Sequence, residues 1–235
     1  MPTKNSIKSY VEDGYYHIYN RGVEKRKIFQ SQQDYAVFLS YLIEYLMPKN
    51  EKELYKRLAD PAISYKEKAN IIRALRMNNF AEEIILLTYC LMPNHFHFLL
   101  KQKHAGSIDT FMNSLATRYT MYFNKKYKRV GPLYQDVYKA VLVGSEEQFL
   151  HLSRYIHRNP LNVNALRNRT KEAVLMSQPS SYGEYLGLRN TAWIHPQEIL
   201  SYFSKINPAL SYPSFVEQQD DIERIEKVSI DLDDH

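Results

Sequence analysis

The segment "CLMPNHFHFLL", residues 90–100, decides the fold, because it predicts two adjacent buried strands joined by a tight turn. The apolar run at 83–92 leads into the turn, and a second apolar run at 95–101 leaves it. Pro93 suits the second position of such a turn. The sequence therefore predicts a hairpin at the centre of a sheet.

Two histidines stand inside the returning strand. Alternate side chains of a strand share a face, so His95 and His97 are predicted to lie together. An imidazole buried without a partner costs free energy, so both rings need polar partners. Two interpretations are open. The pair binds a metal ion, or it is a hydrogen-bonded pair in the core, since His-x-His alone is a weak motif.

The pattern on either side of the hairpin completes a sheet. Residues 14–22 and 136–143 have the composition of strands, while residues 31–46 and 107–129 have apolar positions at helical spacing. The order is β-α-β-β-α-β. It predicts an α+β fold of the ferredoxin-like split βαβ type, an antiparallel sheet with helices on one face.

The remaining segments are predicted to be additions to this unit. Residues 1–165 form the main domain, in which the charged, helix-prone residues 48–82 are a helical insertion. Residues 166–216 are predicted to form a small helical extension. The acidic composition of residues 217–235 is typical of a disordered tail.

A last helix of the main domain is predicted over residues 145–159, with Ser145 and Gln148 as its capping box. His151, Tyr155 and Asn159 follow each other at intervals of four residues and so form one polar stripe. Such a stripe is usually the boundary between core and solvent. Placed against the strand face, however, it would bring a tyrosine and an amide oxygen to the two histidines.

Composition narrows the class of partner. The net charge is +5, and residues 217–235 hold eight acidic and two basic residues, so the rest of the chain carries +11. This favours a polyanion such as nucleic acid, with a merely soluble surface as the alternative. Twenty tyrosines, many beside Lys or Arg, suit stacking on unpaired bases. A single cysteine, Cys90, and the lack of a long apolar run predict a cytoplasmic protein without membrane attachment.

Four stretches resemble a known family when taken together. "MPNHFHFLL" (92–100) resembles the His-hydrophobic-His motif of HUH endonucleases, and "RYIHRNPL" (154–161) is similar to the tyrosine helix of their single-tyrosine transposases. "HIYNRGVEKRKIF" (17–29) and "YKRVGPLYQDVYKA" (127–140) resemble the same group. The similarity is greatest to the REP-associated tyrosine transposases, relatives of insertion-sequence transposases that are often domesticated.

The resemblance implies a mechanism and its residues. Tyr155 would attack a phosphodiester of single-stranded or hairpin DNA, leaving a 5′-phosphotyrosine link and a free 3′-OH that can reverse the step. His95, His97 and Asn159 would bind Mg²⁺ or Mn²⁺, acting as a Lewis acid. The general base stays open, with His151 as one candidate. Relatives are monomers or homodimers, and both states remain open here.

Basic residues near these motifs are the expected DNA contacts, and each has a solvated surface charge as its alternative. They are Arg21, Lys125, Lys126, Lys128, Arg129, Lys139 and Arg158. Val137 stands where relatives often carry a basic residue, which puts a contact there in doubt.

Two other functions compete with the strand transferase. The first is a domesticated protein that binds DNA hairpins without cutting them, which the retained Tyr155, His95 and His97 argue against only mildly. The second is an RNA-binding ferredoxin-like domain, since a sheet with aromatic residues also stacks RNA bases. That alternative leaves the histidine pair and the tyrosine helix without a role.

Overall fold

The computed structural model describes residues 10–162, 170, 173 and 175–218. Its sheet is antiparallel, with the strand order β2-β3-β1-β4. The strands are β1 (Tyr15–Arg21), β2 (Ile84–Met92), β3 (His95–Gln102) and β4 (Lys139–Leu142). This order belongs to the ferredoxin-like split βαβ pattern and confirms the predicted α+β fold.

The helices lie where the periodicity predicts them. The predicted insertion contains two helices separated by a break that includes Pro61. Short helices follow in the C-terminal segment. The bounds are α1 (Gln32–Leu46), α2 (Glu51–Leu58), α3 (Tyr65–Arg76), α4 (Ser107–Lys126), α5 (Glu146–Arg158), α6 (Tyr182–Tyr185), α7 (Gln197–Leu200) and α8 (Tyr212–Glu217).

One face of the sheet is covered by the two crossover helices. Phe38 of α1 and Leu115 of α4 share a fully buried cluster with Ile18 of β1 and Phe98 of β3. Burying side chains of this size contributes about 1.5–3 kcal/mol each. This is the face of the sheet that the β-α-β-β-α-β order assigns to the two helices.

The opposite face is covered by α5 and the C-terminal segment, so the structure as a whole has helices on both faces. Leu152 and Ile156 of α5 pack with Leu99 of β3 and Tyr212 of α8. His157 fixes this arrangement from inside: its Nδ1 lies 2.7 Å from the Tyr212 hydroxyl. Burial lowers the pKa of His157 to about 3, so the ring is neutral at ordinary pH.

A buried carboxylate joins the start of α1 to the end of α4. Asp34 completes the capping box of Ser31 and is itself fully buried. It accepts five hydrogen bonds, from the backbone N–H groups of Gln30 and Ser31, the hydroxyls of Tyr122 and Tyr127, and the ammonium group of Lys126.

Two boundaries differ from the sequence prediction. The continuous ladder of the fourth strand covers only Lys139–Leu142; before it, Asn20 donates to the Asp136 carbonyl at 3.1 Å, and the backbone pairs with the end of β1 again only at the Gly22–Tyr134 bridge. At the start of α5, Ser145 caps Gln148 as predicted, but the Gln148 amide oxygen accepts from Gly144 rather than Ser145.

No described helix is long and apolar enough to cross a membrane. The predicted acidic tail lies, from residue 219 onward, outside the described residues, and so does the junction predicted at 165/166. The division into a main domain and an extension therefore stays a prediction.

Candidate active site

Strand register places the polar groups on one face. His97 pairs with Tyr19, and His95 pairs with Arg21, where β3 runs beside β1. Because side chains alternate, these residues share their face with His17 of β1. Helix α5 packs against β2 and β3 on the same side.

The side chain of Asn159 lies between the two predicted metal-binding histidines. Its Oδ1 is 2.9 Å from His95 Nε2, and its Nδ2 is 3.3 Å from His97 Nε2. An amide N–H can only donate, so His97 Nε2 accepts and carries a lone pair on this side. Asn94 Oδ1 lies 2.8 Å from the other nitrogen of His95.

His97 is held as a neutral imidazole. Its side chain is completely buried, and this burial lowers its pKa well below the usual value, with further lowering from His95 and His17. Neutral imidazole is the form that binds a metal ion.

Tyr155 lies beside the histidines, one helical turn before Asn159. Its ring meets that of His97 edge-on with centroids 5.5 Å apart, and that of His17 with centroids 6.1 Å apart. The side chain is 4% exposed. The structure therefore brings together the four residues that the sequence proposes for catalysis and metal binding.

His151 lies one helical turn before Tyr155 in α5, and its ring contacts Arg154 and Phe215. Its Nδ1 accepts a hydrogen bond from Arg154 Nη2 at 2.8 Å, and its ring packs against Phe215 of α8. Arg154 also lies over the Phe215 ring, 4.6 Å from its centroid. These contacts give His151 a role in attaching α8 to α5.

The donor set can hold a divalent cation whose coordination is completed by other ligands. Among the described residues, no group of three or more His, Cys, Asp or Glu side chains is placed to hold a metal ion. What converges instead is two imidazole nitrogens and one amide oxygen, from His95, His97 and Asn159. Three neutral ligands fit an ion such as Mg²⁺ or Mn²⁺ if water and phosphate oxygens complete its coordination.

Four of the predicted DNA-contacting cations lie at the surface or at the edge of the site. Arg21 ends β1 opposite His95 and is partly exposed. Lys125 and Lys128 are exposed at the end of α4, and Lys139 is exposed on the edge strand β4.

The remaining three cations are held by hydrogen bonds or an ion pair that can be described in detail. Lys126 Nζ forms an ion pair with Asp34 at 2.6 Å. Arg129 donates to Asn124 Oδ1 at 2.9 Å and so closes the loop after α4. Arg158 donates to the backbone carbonyls of Val216 and Gln218, each at 2.7 Å.

Sequence reasoning missed His17 and Asn94, which contact the two histidines directly. The signal for His17 was present. Its position alternates in phase with Arg21, and the split βαβ order places β1 beside β3. Asn94 was assigned only to the turn.

Comparisons with known proteins find similarity over the part of the chain that contains the candidate site. The family model "Transposase IS200 like" matches residues 61–159, which include β2, β3, α4, β4, α5 and Asn159. No curated protein sequence matches the chain significantly. Among solved structures, a REP-associated tyrosine transposase bound to a REP hairpin aligns with a TM-score of 0.48 and 11% identity, covering 81% of this chain and 96% of that one.

Proposed function

We propose that this chain, whose residues 61–159 match the IS200-like transposase family model, cleaves and rejoins single-stranded hairpin DNA. The observation that carries this proposal is the packing of Tyr155 against His97, with Asn159 bridging His97 and His95. A nucleophile, two imidazoles and an amide oxygen within one small volume suit phosphoryl transfer better than passive binding.

In the proposed reaction the Tyr155 oxygen attacks the phosphorus of a DNA phosphodiester. The new oxygen–phosphorus bond forms as the bond to the 3′ oxygen breaks. The phenol proton is lost to solvent, and the 3′ oxygen takes up a proton to become a hydroxyl. Attack by that hydroxyl on the phosphotyrosine reverses the step, and attack by another 3′-OH transfers the strand.

A phenol with a pKa of about 10 is protonated at neutral pH and is therefore a poor nucleophile. The site must compensate by stabilising the negative charge that develops on the leaving 3′ oxygen. A divalent cation held by His95, His97 and Asn159 would polarise the phosphate and stabilise the leaving 3′ oxygen. Asn159 directly follows the last residue of α5, the helix that carries Tyr155, so nucleophile and ligand lie one turn apart.

The exposed lysines and the partly exposed Arg21 would hold the DNA backbone. Arg21 is placed to contact phosphate beside the site, while Lys125, Lys128 and Lys139 offer charge farther out. Phosphate contacts release counterions, so binding should weaken steeply as salt rises.

Covalent capture tests the proposal. The full chain is incubated with labelled single-stranded hairpin DNAs, with Mn²⁺ or with EDTA, and resolved on a denaturing gel. We expect a shifted band that requires Mn²⁺ and disappears in Tyr155→Phe. Tyr19→Phe is the matched variant, because its ring is the other phenol packed beside His97, with centroids 5.9 Å apart, and it should still form the band.

Other results would separate the alternatives. A band that persists in Tyr155→Phe and is lost in Tyr19→Phe would assign the nucleophile to β1. Binding without any band would support a non-cleaving hairpin-binding protein. Tighter binding of the same hairpin made as RNA would favour the RNA-binding alternative.

A further inference from the structure

We propose that His17 is a positioning residue that fixes the tautomer and orientation of His97, so that the His97 Nε2 lone pair faces the metal site. The inference rests on the proposed function, because it assigns His17 a task toward the metal ion. It goes further in adding a residue from the first strand of the sheet.

The contact between the two rings is direct and dry. His17 Nε2 lies 2.9 Å from His97 Nδ1, and both side chains are 0% exposed. The two ring planes are nearly parallel, with an interplanar angle of 17°, and their centroids are 5.1 Å apart, so the rings meet edge to edge at these nitrogens. Since water has no access, His17 is the group that satisfies His97 Nδ1.

The contact between Asn159 and His97 Nε2 determines which nitrogen of the His97 ring carries the proton. The amide N–H of Asn159 points at His97 Nε2, which must therefore accept. In a neutral imidazole only one nitrogen carries the proton, so it lies on Nδ1 and is donated to His17 Nε2. His17 then carries its own proton on Nδ1.

Loss of this acceptor would act on the metal through His97. A buried N–H without a partner is unfavourable, and the ring can avoid this by moving its proton to Nε2 or by turning over. Either change removes the lone pair from the metal site. Replacing a group that is hydrogen-bonded to a metal-binding histidine typically changes metal affinity by 10–100-fold.

A purely structural histidine pair makes a different prediction. It would lower the free energy of unfolding when His17 is replaced, without a specific effect on metal binding. Two substitutions separate these roles. His17→Phe keeps an aromatic ring but removes the acceptor, whereas His17→Gln retains an amide oxygen that can accept from His97 Nδ1.

The measurement is Mn²⁺ binding to the DNA-free full chain, followed by electron paramagnetic resonance of the free ion. We expect His17→Phe to bind Mn²⁺ about 10–100-fold more weakly than wild type. His17→Gln should recover most of that affinity. Circular dichroism and thermal unfolding of each variant establish that the fold is retained.

The outcomes are distinguishable from failure of the proposed function. If wild type binds no Mn²⁺, the metal site itself is refuted, and this inference fails with it. If wild type binds Mn²⁺ and His17→Phe binds it equally well, only the role of His17 is refuted. Equal weakening in His17→Gln and His17→Phe would also overturn it, since a retained acceptor would then not matter.

Long-range proton–nitrogen NMR of histidine-labelled wild type provides a test that requires no His17 variant to fold. The His97 signals are assigned by their loss in His97→Gln. We expect the proton on Nδ1 in the metal-free protein. A proton on Nε2 would overturn the proposal.

Discussion

Replacing Asp34 by Asn should destabilise the protein strongly, because this carboxylate is buried and anchors two helices. It accepts hydrogen bonds from the Lys126 ammonium at 2.6 Å and from the Tyr127 hydroxyl at 2.7 Å, among five donors. Removing one partner of a buried ion pair costs about 3–5 kcal/mol. The Lys126 side chain is 24% exposed and can be partly rehydrated, so we expect the lower end, about 3 kcal/mol.

Urea and thermal denaturation measure this loss. For a chain of this size, about 3 kcal/mol corresponds to a fall in Tm of about 6–12 °C. Glu67→Gln is the matched control, because Glu67 occupies the same capping-box position in α3 but is exposed. It should shift Tm far less. A loss below about 1 kcal/mol for Asp34→Asn, or equal shifts in the two variants, would refute the reasoning.

Acid provides an independent check with a definite sign. Burial alone would raise the pKa of the Asp34 carboxyl, but the hydrogen bonds from Lys126, Tyr127, Gln30 and Tyr122 outweigh it and lower the pKa to about 2. A depressed pKa stabilises the folded state above the unfolded pKa of about 4, and the contribution is lost as pH falls toward 2. The stability difference between wild type and Asp34→Asn should therefore shrink from pH 5 to pH 2.

Three further predictions concern the opposite face, the DNA surface and the metal ligands. Tyr212→Phe removes the hydroxyl beside His157 and should lower the free energy of unfolding by about 1–3 kcal/mol in urea titrations; an unchanged midpoint would contradict it. Lys125→Gln should reduce the slope of log affinity against log salt for hairpin DNA by about one, whereas Lys126→Gln should lower stability and leave the slope nearly unchanged. Asn159→Asp keeps an oxygen ligand and adds charge, so its Mn²⁺ affinity measured by calorimetry should equal or exceed that of wild type. Asn159→Leu removes the oxygen and should weaken binding. Equal Mn²⁺ affinities of the Asp and Leu variants would exclude a ligand at this position.

The order of elements could be predicted from the sequence because each element has a strong local pattern. The alternating residues of β1 and the apolar runs on both sides of Pro93 specify strands without help from tertiary contacts. The start of β4 could not be predicted in this way. Asp136 and Val137 continue a strand-like pattern, but the Asn20 side chain binds the Asp136 carbonyl where the pairing is interrupted, between the Gly22–Tyr134 bridge and Lys139.

Sequence patterns predicted only part of the candidate site. Tyr155 and Asn159 could be chosen because both fall within the helix predicted over residues 145–159, where a spacing of four residues means proximity. The pairing of His17 with His97 depends on two strands that are distant in sequence, and its geometry is set by their register. A local motif search misses it, whereas the predicted strand order combined with side-chain alternation is sufficient to find it.

The net charge counts every cation equally, whether or not an acidic side chain neutralises it locally. The local partners of each cation therefore determine how strongly its removal should affect DNA binding. Lys126 is neutralised locally by Asp34, so its removal should change the field at the DNA surface least. The Arg158 guanidinium donates to the backbone carbonyls of Val216 and Gln218 and is thereby anchored to the end of α8. Its removal should both weaken DNA binding and loosen that anchor. Lys125 and Lys128 are exposed at the end of α4, so their removal should reduce the salt dependence with little loss of stability.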